Sequence, residues 1–351
     1  MTARLADPGE RLDSLGIFPA TLGLAEQVEA AVQVGLEAEH LPDHDDIANV
    51  VVLGMGGSGV AGDLMAAVGQ QFMPVPVVVC KGYDAPSFID QSTLVVAVSF
   101  SGNTEETLTA VQEARLSGAR ILAVTQGGEL GELADQWDAP VLAVPDDIPM
   151  PRAGLGAIAV PPLIAFERMG LFPGAGEWIA CAIHQLKARR DKLALPGNDA
   201  EILARQIGRT IPLVYGAGEV GGVAATRWKT QVNENAKTQA FSNVVPELCH
   251  NEICQWGQNG DLTRQAMSVV LLRHDDEHPQ QGRRFELIAE IMDEVVAGIQ
   301  TVEAQGDGIL AQLFDLILFG DMVSLHLAAQ EGLDPGPVPI LMDLKAALAK
   351  A

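Results

Sequence analysis

Short runs of apolar residues recur along this chain, each ending in a turn rich in glycine or hydroxyl residues and followed by a segment with helical spacing. The runs are Val50-Val51-Val52-Leu53 and segments 75–80, 94–98, 120–125 and 140–144. Continuous apolar runs, rather than alternating ones, predict strands covered on both faces, as in a parallel sheet. Strands alternating with helices at this spacing predict a doubly wound α/β fold, with ligands beyond the strand carboxyl ends. Before the first strand, Leu22, Leu24, Ala25, Val28, Ala31, Val32 and Leu36 predict a helix over 19–39. Helices are expected from about Val60 to Gly69, after Thr104, and over roughly 157–169 and 176–193. Residues 194–199 then read as a linker. Beyond it the pattern returns about 160 residues after its first appearance, as an internal repeat. Ile211 to Tyr215 is a strand running into Gly216-Ala217-Gly218, and a helix follows through Lys237. Residues 238–254 read as a loop, 267–272 as a strand, 283–301 and 308–331 as helices, and a last helix contains Lys345. The expected organisation is an N-terminal helical segment (1–45) and two α/β units (46–195 and 196–351), each a parallel sheet flanked by helices.

Composition narrows the classes. The chain has 351 residues, 48% of them apolar, and carries 22 Lys and Arg against 46 Asp and Glu, a formal net charge of -24. A nucleic-acid partner needs a clustered basic surface, and none is visible. An anionic ligand would have to be held by local dipoles and a few cations against an unfavourable overall field. Met1 to Gly16 is polar and acidic, unlike an export signal, and no apolar run approaches bilayer length, so no membrane is expected. Cys80, Cys181, Cys249 and Cys254 are scattered and read as reduced thiols of a cytoplasmic protein.

Candidate chemistry centres on Ser99-Phe100-Ser101-Gly102-Asn103-Thr104, between a strand and a helix. Backbone N–H groups at a helix start, with the hydroxyls of Ser99, Ser101 and Thr104, suit a phosphate. Asn103 and Glu106 have the spacing of a helix start. Without a Lys in the loop this is not a nucleotide P-loop; a phosphomonoester on a small molecule remains, beside the plain reading of a strand, turn and capped helix. Gly54, Gly56 and Gly59 satisfy G-x-G-x-x-G, but the acid expected after the next strand is missing, where Cys80-Lys81 stands. Glu234 lies between Asn233 and Asn235 on a helix with Arg227, Lys229 and Lys237. It reads either as a solvated face of ion pairs or as a general base for a proton next to a carbonyl. The Cys249/Cys254 spacing does not make a zinc site, so no metal is expected. His250 is either structural or an acid/base group, and the pairs His40/His44 and His274/His278 read as solvated.

Several motifs occur in one order: Gly56-Gly57-Ser58-Gly59, SFSGNTEETL from Ser99 to Leu108, Pro151 to Gly156, NENAK from Asn233 to Lys237, PELCHNEI from Pro246 to Ile253, and Asp334-Pro335 with Leu344-Lys345. Together they resemble the bifunctional phosphoglucose/phosphomannose isomerases of the sugar isomerase (SIS) superfamily, over about residues 45–348. The resemblance implies two SIS subdomains and an aldose–ketose isomerase acting on a sugar 6-phosphate without metal or organic cofactor. It assigns Gly57, Ser58, Ser99, Ser101 and Thr104 to the phosphate, Arg152 to the enediolate charge and Glu234 to proton transfer between C2 and C1. His250 would assist ring opening, and Lys345 would line the site. It also implies a homodimer in which His250 crosses from the partner. Cys249 stands where relatives commonly carry Asn. Gly336 stands where many carry a Thr tied to acceptance of the mannose epimer, so glucose 6-phosphate is implied more strongly than mannose 6-phosphate. Two rival readings are a non-catalytic sugar-phosphate sensor and a nicotinamide enzyme. No helix-turn-helix precedes the first sheet to support the sensor, and the missing acid opposes the nicotinamide enzyme.

Overall fold

Valine-rich runs with no polar face build the first sheet, because β-branched side chains pack well on a pleated surface covered from both sides. The computed structural model describes residues 12–348; the ends of the two expected terminal segments, 1–11 and 349–351, lie outside the described residues. Two helices, α1 (Ile17–Leu22) and α2 (Leu24–Glu37), lead in, so the helix expected over 19–39 is broken at Gly23. The first unit then alternates β1 (Asn49–Gly54), α3 (Gly56–Gly69), β2 (Val77–Cys80), β3 (Thr93–Val98), α4 (Glu105–Leu116), β4 (Arg120–Thr125), α5 (Gly128–Gln136) and β5 (Val141–Ala143). All its strand pairs are parallel, in the order β2-β1-β3-β4-β5. Two long helices, α6 (Leu155–Arg168) and α7 (Ala175–Leu193), follow.

The second unit opens with α8 (Asp199–Ile207), β6 (Ile211–Ala217) and α9 (Gly218–Gln231), continuing into a π-helical turn, Val232–Ala236. Then come β7 (Phe241–Val245), α10 (Gly260–Ala266), β8 (Met267–Arg273), α11 (Pro279–Met292) and β9 (Gly298–Glu303). This sheet is also parallel, in the order β7-β6-β8-β9. Strand for strand it repeats the first four positions of the other sheet, as the glycine turns suggested. Two strands escape the sequence reading. β7 lies inside the expected loop 238–254, and β9 replaces the end of the helix expected over 283–301. Both are edge strands, with one neighbour each and partly exposed residues, and so lack the continuous apolar run that marks a central strand.

The units share α12 (Ile309–Gln330), a helix buried on every side from Ile309 to Ala328. Against the expectation of no bilayer-length apolar segment, this 22-residue helix is long and apolar enough to span one, an 18-residue stretch of it averaging a hydropathy of 1.5, but 94% of that stretch is buried in protein. Two aspartates interrupt its apolar surface, and each meets an arginine from a packed helix. Asp315 accepts from Arg189 Nε of α7 at 2.7 Å, and Asp321 from Arg227 of α9 at 3.0 and 2.7 Å. A buried charge needs such a partner, because desolvation otherwise costs several kcal/mol per ion. The last described element is α13 (Pro339–Leu348), none of whose residues is buried.

Candidate active site

The site begins at two helix starts. α3 begins just after β1 and α4 after the loop 99–104 that follows β3, and no capping side chain takes their first N–H groups. Those groups and the helix dipole therefore remain available to an anion. The N-cap of α4 is Thr104 and not Asn103, whose Oδ1 accepts from Glu129 N at 3.1 Å and ties the loop to α5. Ser99 is 1% exposed and Ser58 5%, whereas Ser101 is exposed. Ser99 Oγ donates to Thr104 Oγ1 at 2.9 Å and accepts from Thr104 N at 3.4 Å, so the two hydroxyls already converge. Gly102 makes the loop possible. Its φ is 72°, and a Cβ there would lie 1.8 Å from Gly127 O.

Arg152 is carried on a tight turn, Pro151–Ala153, that backs onto the start of α3. A Cβ on Gly57 would come within 3.3 Å of Pro151 O and 3.5 Å of Arg152 N. Although 3% exposed, Arg152 is well supplied with acceptors. Nε donates to Asn235 Oδ1 at 2.9 Å, and Nη2 donates to Pro335 O and Gly336 O at 2.7 and 2.6 Å. Nη1 reaches Glu234 Oε2 at 3.4 Å. Burial lowers the guanidinium pKa from its usual value, while the Glu234 carboxylate opposes that shift; an arginine so placed stays ionised.

Glu234 sits in the π-helical turn that ends α9, with its side chain 32% exposed. Such widened turns recur at functional sites, where they re-aim side chains. The carboxylate pairs with Arg152, not with Lys229 or Lys237, so the reading of a solvated face with ion pairs along one helix does not hold. Arg227, counted on that face, is buried against Asp321. Lys237 closes the turn in the left-handed region, φ 53°. Its Nζ donates to the carbonyls of Glu234, Asn235, Asp334 and Pro335 at 2.8–3.2 Å. Burial first, and then the Arg152 charge, brings its pKa down to about 8, against Asp334 and Glu234. Lys237 and Arg152 thus grip the same strap, Asp334 to Gly336.

The remaining candidates stand apart from this pair. His250 and Lys345 are both exposed, and the side chain of neither makes a hydrogen bond or ion pair among the described residues. The loop bearing His250 is nevertheless anchored. Glu252 accepts from the buried Tyr215 hydroxyl and from Asn243 Nδ2 at 2.5 Å. His274, expected to be solvated, is 9% exposed, and its Nε2 lies 3.0 Å from Ala217 O. His278 caps α11. Asp43, His44 and Asp45 have ligand-like spacing for a metal, but all three are exposed. Sequence reasoning missed the parts played by Asn235, Ser324 and Asp321. For Asp321 the available signal was two acidic residues in the largely apolar stretch 309–330, which must find cations when buried.

Comparisons with known proteins agree with this architecture. Residues 46–139 match the SIS domain, and residues 197–348 match the bacterial phospho-glucose isomerase C-terminal SIS domain. A bifunctional phosphoglucose/phosphomannose isomerase from Caldicellulosiruptor bescii is 35% identical over 95% of this chain and 99% of its own length. One from Thermoplasma acidophilum is 35% identical over 85% of this chain and 89% of its own. Among solved structures, the C-terminal domain of glucosamine-fructose-6-phosphate aminotransferase from Francisella tularensis superposes with a TM-score of 0.68. It is 15% identical, covering 95% of this chain and all of that domain, and so shares the fold. On sequence identity across nearly its whole length, the chain belongs to the family of bifunctional phosphoglucose/phosphomannose isomerases.

Proposed function

We propose that the chain is an aldose–ketose isomerase that interconverts glucose 6-phosphate and fructose 6-phosphate through an enediolate. The observation that carries the reading is the Glu234 carboxylate, one-third exposed, 3.4 Å from a buried Arg152 whose turn backs onto an uncapped helix start. The phosphate is held by the starts of α3 and α4 with Gly57, Ser58, Ser99, Ser101 and Thr104, and its binding energy positions the sugar. Glu234 takes the proton from C2 of the open-chain aldose and returns it to C1, the general-base role of a carboxylate beside a carbonyl. Arg152 stabilises the negative charge that develops on the enediolate oxygens. Proton transfer and charge stabilisation are both supplied by side chains, so the reading assigns no cofactor.

Ring opening is assigned to His250 of a second copy of the chain, and contact with substrate hydroxyls to Lys345. In support, His250 is exposed on an anchored loop. Lys345 lies on a helix that also exposes Ile340, Leu341, Met342, Leu344 and Leu348, an apolar face suited to a homodimer. Four free thiols suit the reducing cytoplasm. Gly336, the departure that bears on mannose, packs on the lead-in segment, where a Cβ would lie 2.8 Å from Leu15 Cγ. No threonine fits there without moving Leu15, so glucose 6-phosphate is the expected main partner of fructose 6-phosphate. The test is incubation with fructose 6-phosphate and a chelator, with the glucose and mannose epimers resolved. Glucose 6-phosphate should dominate, and turnover to neither epimer overturns the reading.

A further inference from the structure

We infer that Asn235 is a positioning residue that aims the Arg152 guanidinium, and that Ser324 fixes the amide in the one orientation able to do so. The inference rests on the isomerase reading. Asn235 is fully buried next to Glu234, yet its side chain faces away from solvent and into a closed circuit of hydrogen bonds. Its Oδ1 accepts from Arg152 Nε at 2.9 Å, and its Nδ2 donates to Ser324 Oγ at 2.9 Å. Ser324 Oγ spends its own proton on Asp321 O at 2.6 Å, so toward Asn235 it can only accept. The amide nitrogen must therefore face the serine, and the amide oxygen must face the arginine. The circuit closes through Asp321, whose carboxylate holds Arg227, and Arg227 Nη2 donates to the Arg152 carbonyl oxygen.

Arg152 is thus gripped at both ends, at its carbonyl by Arg227 and at its Nε by Asn235. Both of its Nη2 contacts are to the strap, which leaves Nη1, beside Glu234, to face the reacting carbons. Rotation of the guanidinium about its stem would carry Nη1 away from the place where the enediolate charge forms. A donor prepaid in its direction is worth most in the transition state, because no reorganisation is needed at the moment of reaction. An acceptor at Nε alone could have been a backbone carbonyl or a carboxylate. A carboxylate would have cancelled the very charge that Arg152 supplies, and the amide accepts without doing so.

The test uses the full-length protein with Asn235→Leu, Ser324→Ala and Ser324→Thr. Each is assayed for kcat and KM with fructose 6-phosphate and for affinity toward two probes. One is an aldonohydroxamate phosphate, whose anionic edge mimics the enediolate; the other is sorbitol 6-phosphate, an open-chain polyol with no such charge. Asn235→Leu should lower kcat and hydroxamate affinity together by about ten- to a hundredfold, the size of one hydrogen bond to a charged group. KM and sorbitol 6-phosphate affinity should stay within about twofold, since the phosphate cradle is untouched. Ser324→Ala, which frees the amide to flip but removes only one oxygen, should show the same pattern more weakly. Ser324→Thr, which keeps the hydroxyl, should restore the parent values. If Asn235→Leu does not fold, the serine pair decides alone. Unchanged kcat and hydroxamate affinity in a folded Asn235→Leu or Ser324→Ala, or equal weakening of both probes, overturns the inference while parental turnover keeps the isomerase reading intact. An inactive parent chain overturns that reading and this inference with it.

Discussion

Replacing Glu234 by Gln separates chemistry from architecture at this site. The amide keeps the shape of the side chain and can still accept from Arg152 Nη1, but it cannot take a proton from carbon. Arg152 would not be orphaned, because its other acceptors are Asn235, Pro335 and Gly336, all at 2.9 Å or less, whereas the Glu234 contact is the longest at 3.4 Å. Even complete loss of that long, partly exposed bond would cost only about 0.5–1.5 kcal/mol of stability, the ordinary net value of one hydrogen bond, and the amide keeps part of it. Loss of a general base should lower kcat about 10²–10⁴-fold, equivalent to roughly 3–5 kcal/mol of transition-state stabilisation. The two effects differ enough to be read separately. Thermal unfolding should move by a few degrees at most. A dehydrogenase-coupled assay from fructose 6-phosphate should show kcat collapse with KM little changed, and deuterium from solvent should no longer enter C2. A folded Glu234→Gln protein retaining more than a tenth of parental kcat would show that another group moves the proton.

Gly102→Ala should disable the phosphate loop, since the new Cβ falls 1.8 Å from Gly127 O in a backbone region costing about 1–2 kcal/mol for any side chain; the check is at least a tenfold rise in KM. Lys237 sets an alkaline limit. Its ammonium loses its proton as pH rises through about 8, loosening the strap that Arg152 also holds, so kcat/KM should fall there. In Lys237→Arg, charged throughout that range, the limb should vanish, and an identical profile in both proteins would remove Lys237 from the explanation. Co-expressing Glu234→Gln with His250→Ala tests the shared site. Random pairing should restore about a quarter of parental activity, because about half the dimers are mixed and each has one complete site. Verified mixed dimers no more active than the separate variants would confine His250 to its own chain.

Central strands were legible in the sequence because burial on both faces leaves an uninterrupted apolar signature, as in β1, β3 and β6. Edge strands were not. In β9, the half-buried Gln300 and the exposed Thr301 precede the buried Val302, a mixed pattern shared with many helices. The loop proposed to hold the phosphate could be singled out because its groups are local, with Ser99, Ser101 and Thr104 within six residues. The Arg152–Glu234 pair spans 82 positions, and its supporting circuit draws Arg227, Asn235, Asp321 and Ser324 from three segments. Residue types alone cannot show such convergence. Helical spacing offered Glu234 only the cations of its own helix, and it was the family resemblance that put Arg152 in the same site.

The buried helix α12 also matters before the fold exists. While the chain is being made, Ile309–Gln330 emerges as a segment that secretion machinery would sample as a membrane span. Its Leu, Ile, Phe and Val residues each favour insertion by about 0.3–0.6 kcal/mol, and a central aspartate opposes it by about 2.5–3.5 kcal/mol. Asp315 and Asp321, which later seat Arg189 and Arg227, are therefore what holds the nascent segment near the balance point. Exchanging both for leucine would remove that opposition from the nascent segment and, in the folded protein, leave Arg189 and Arg227 buried without their carboxylates.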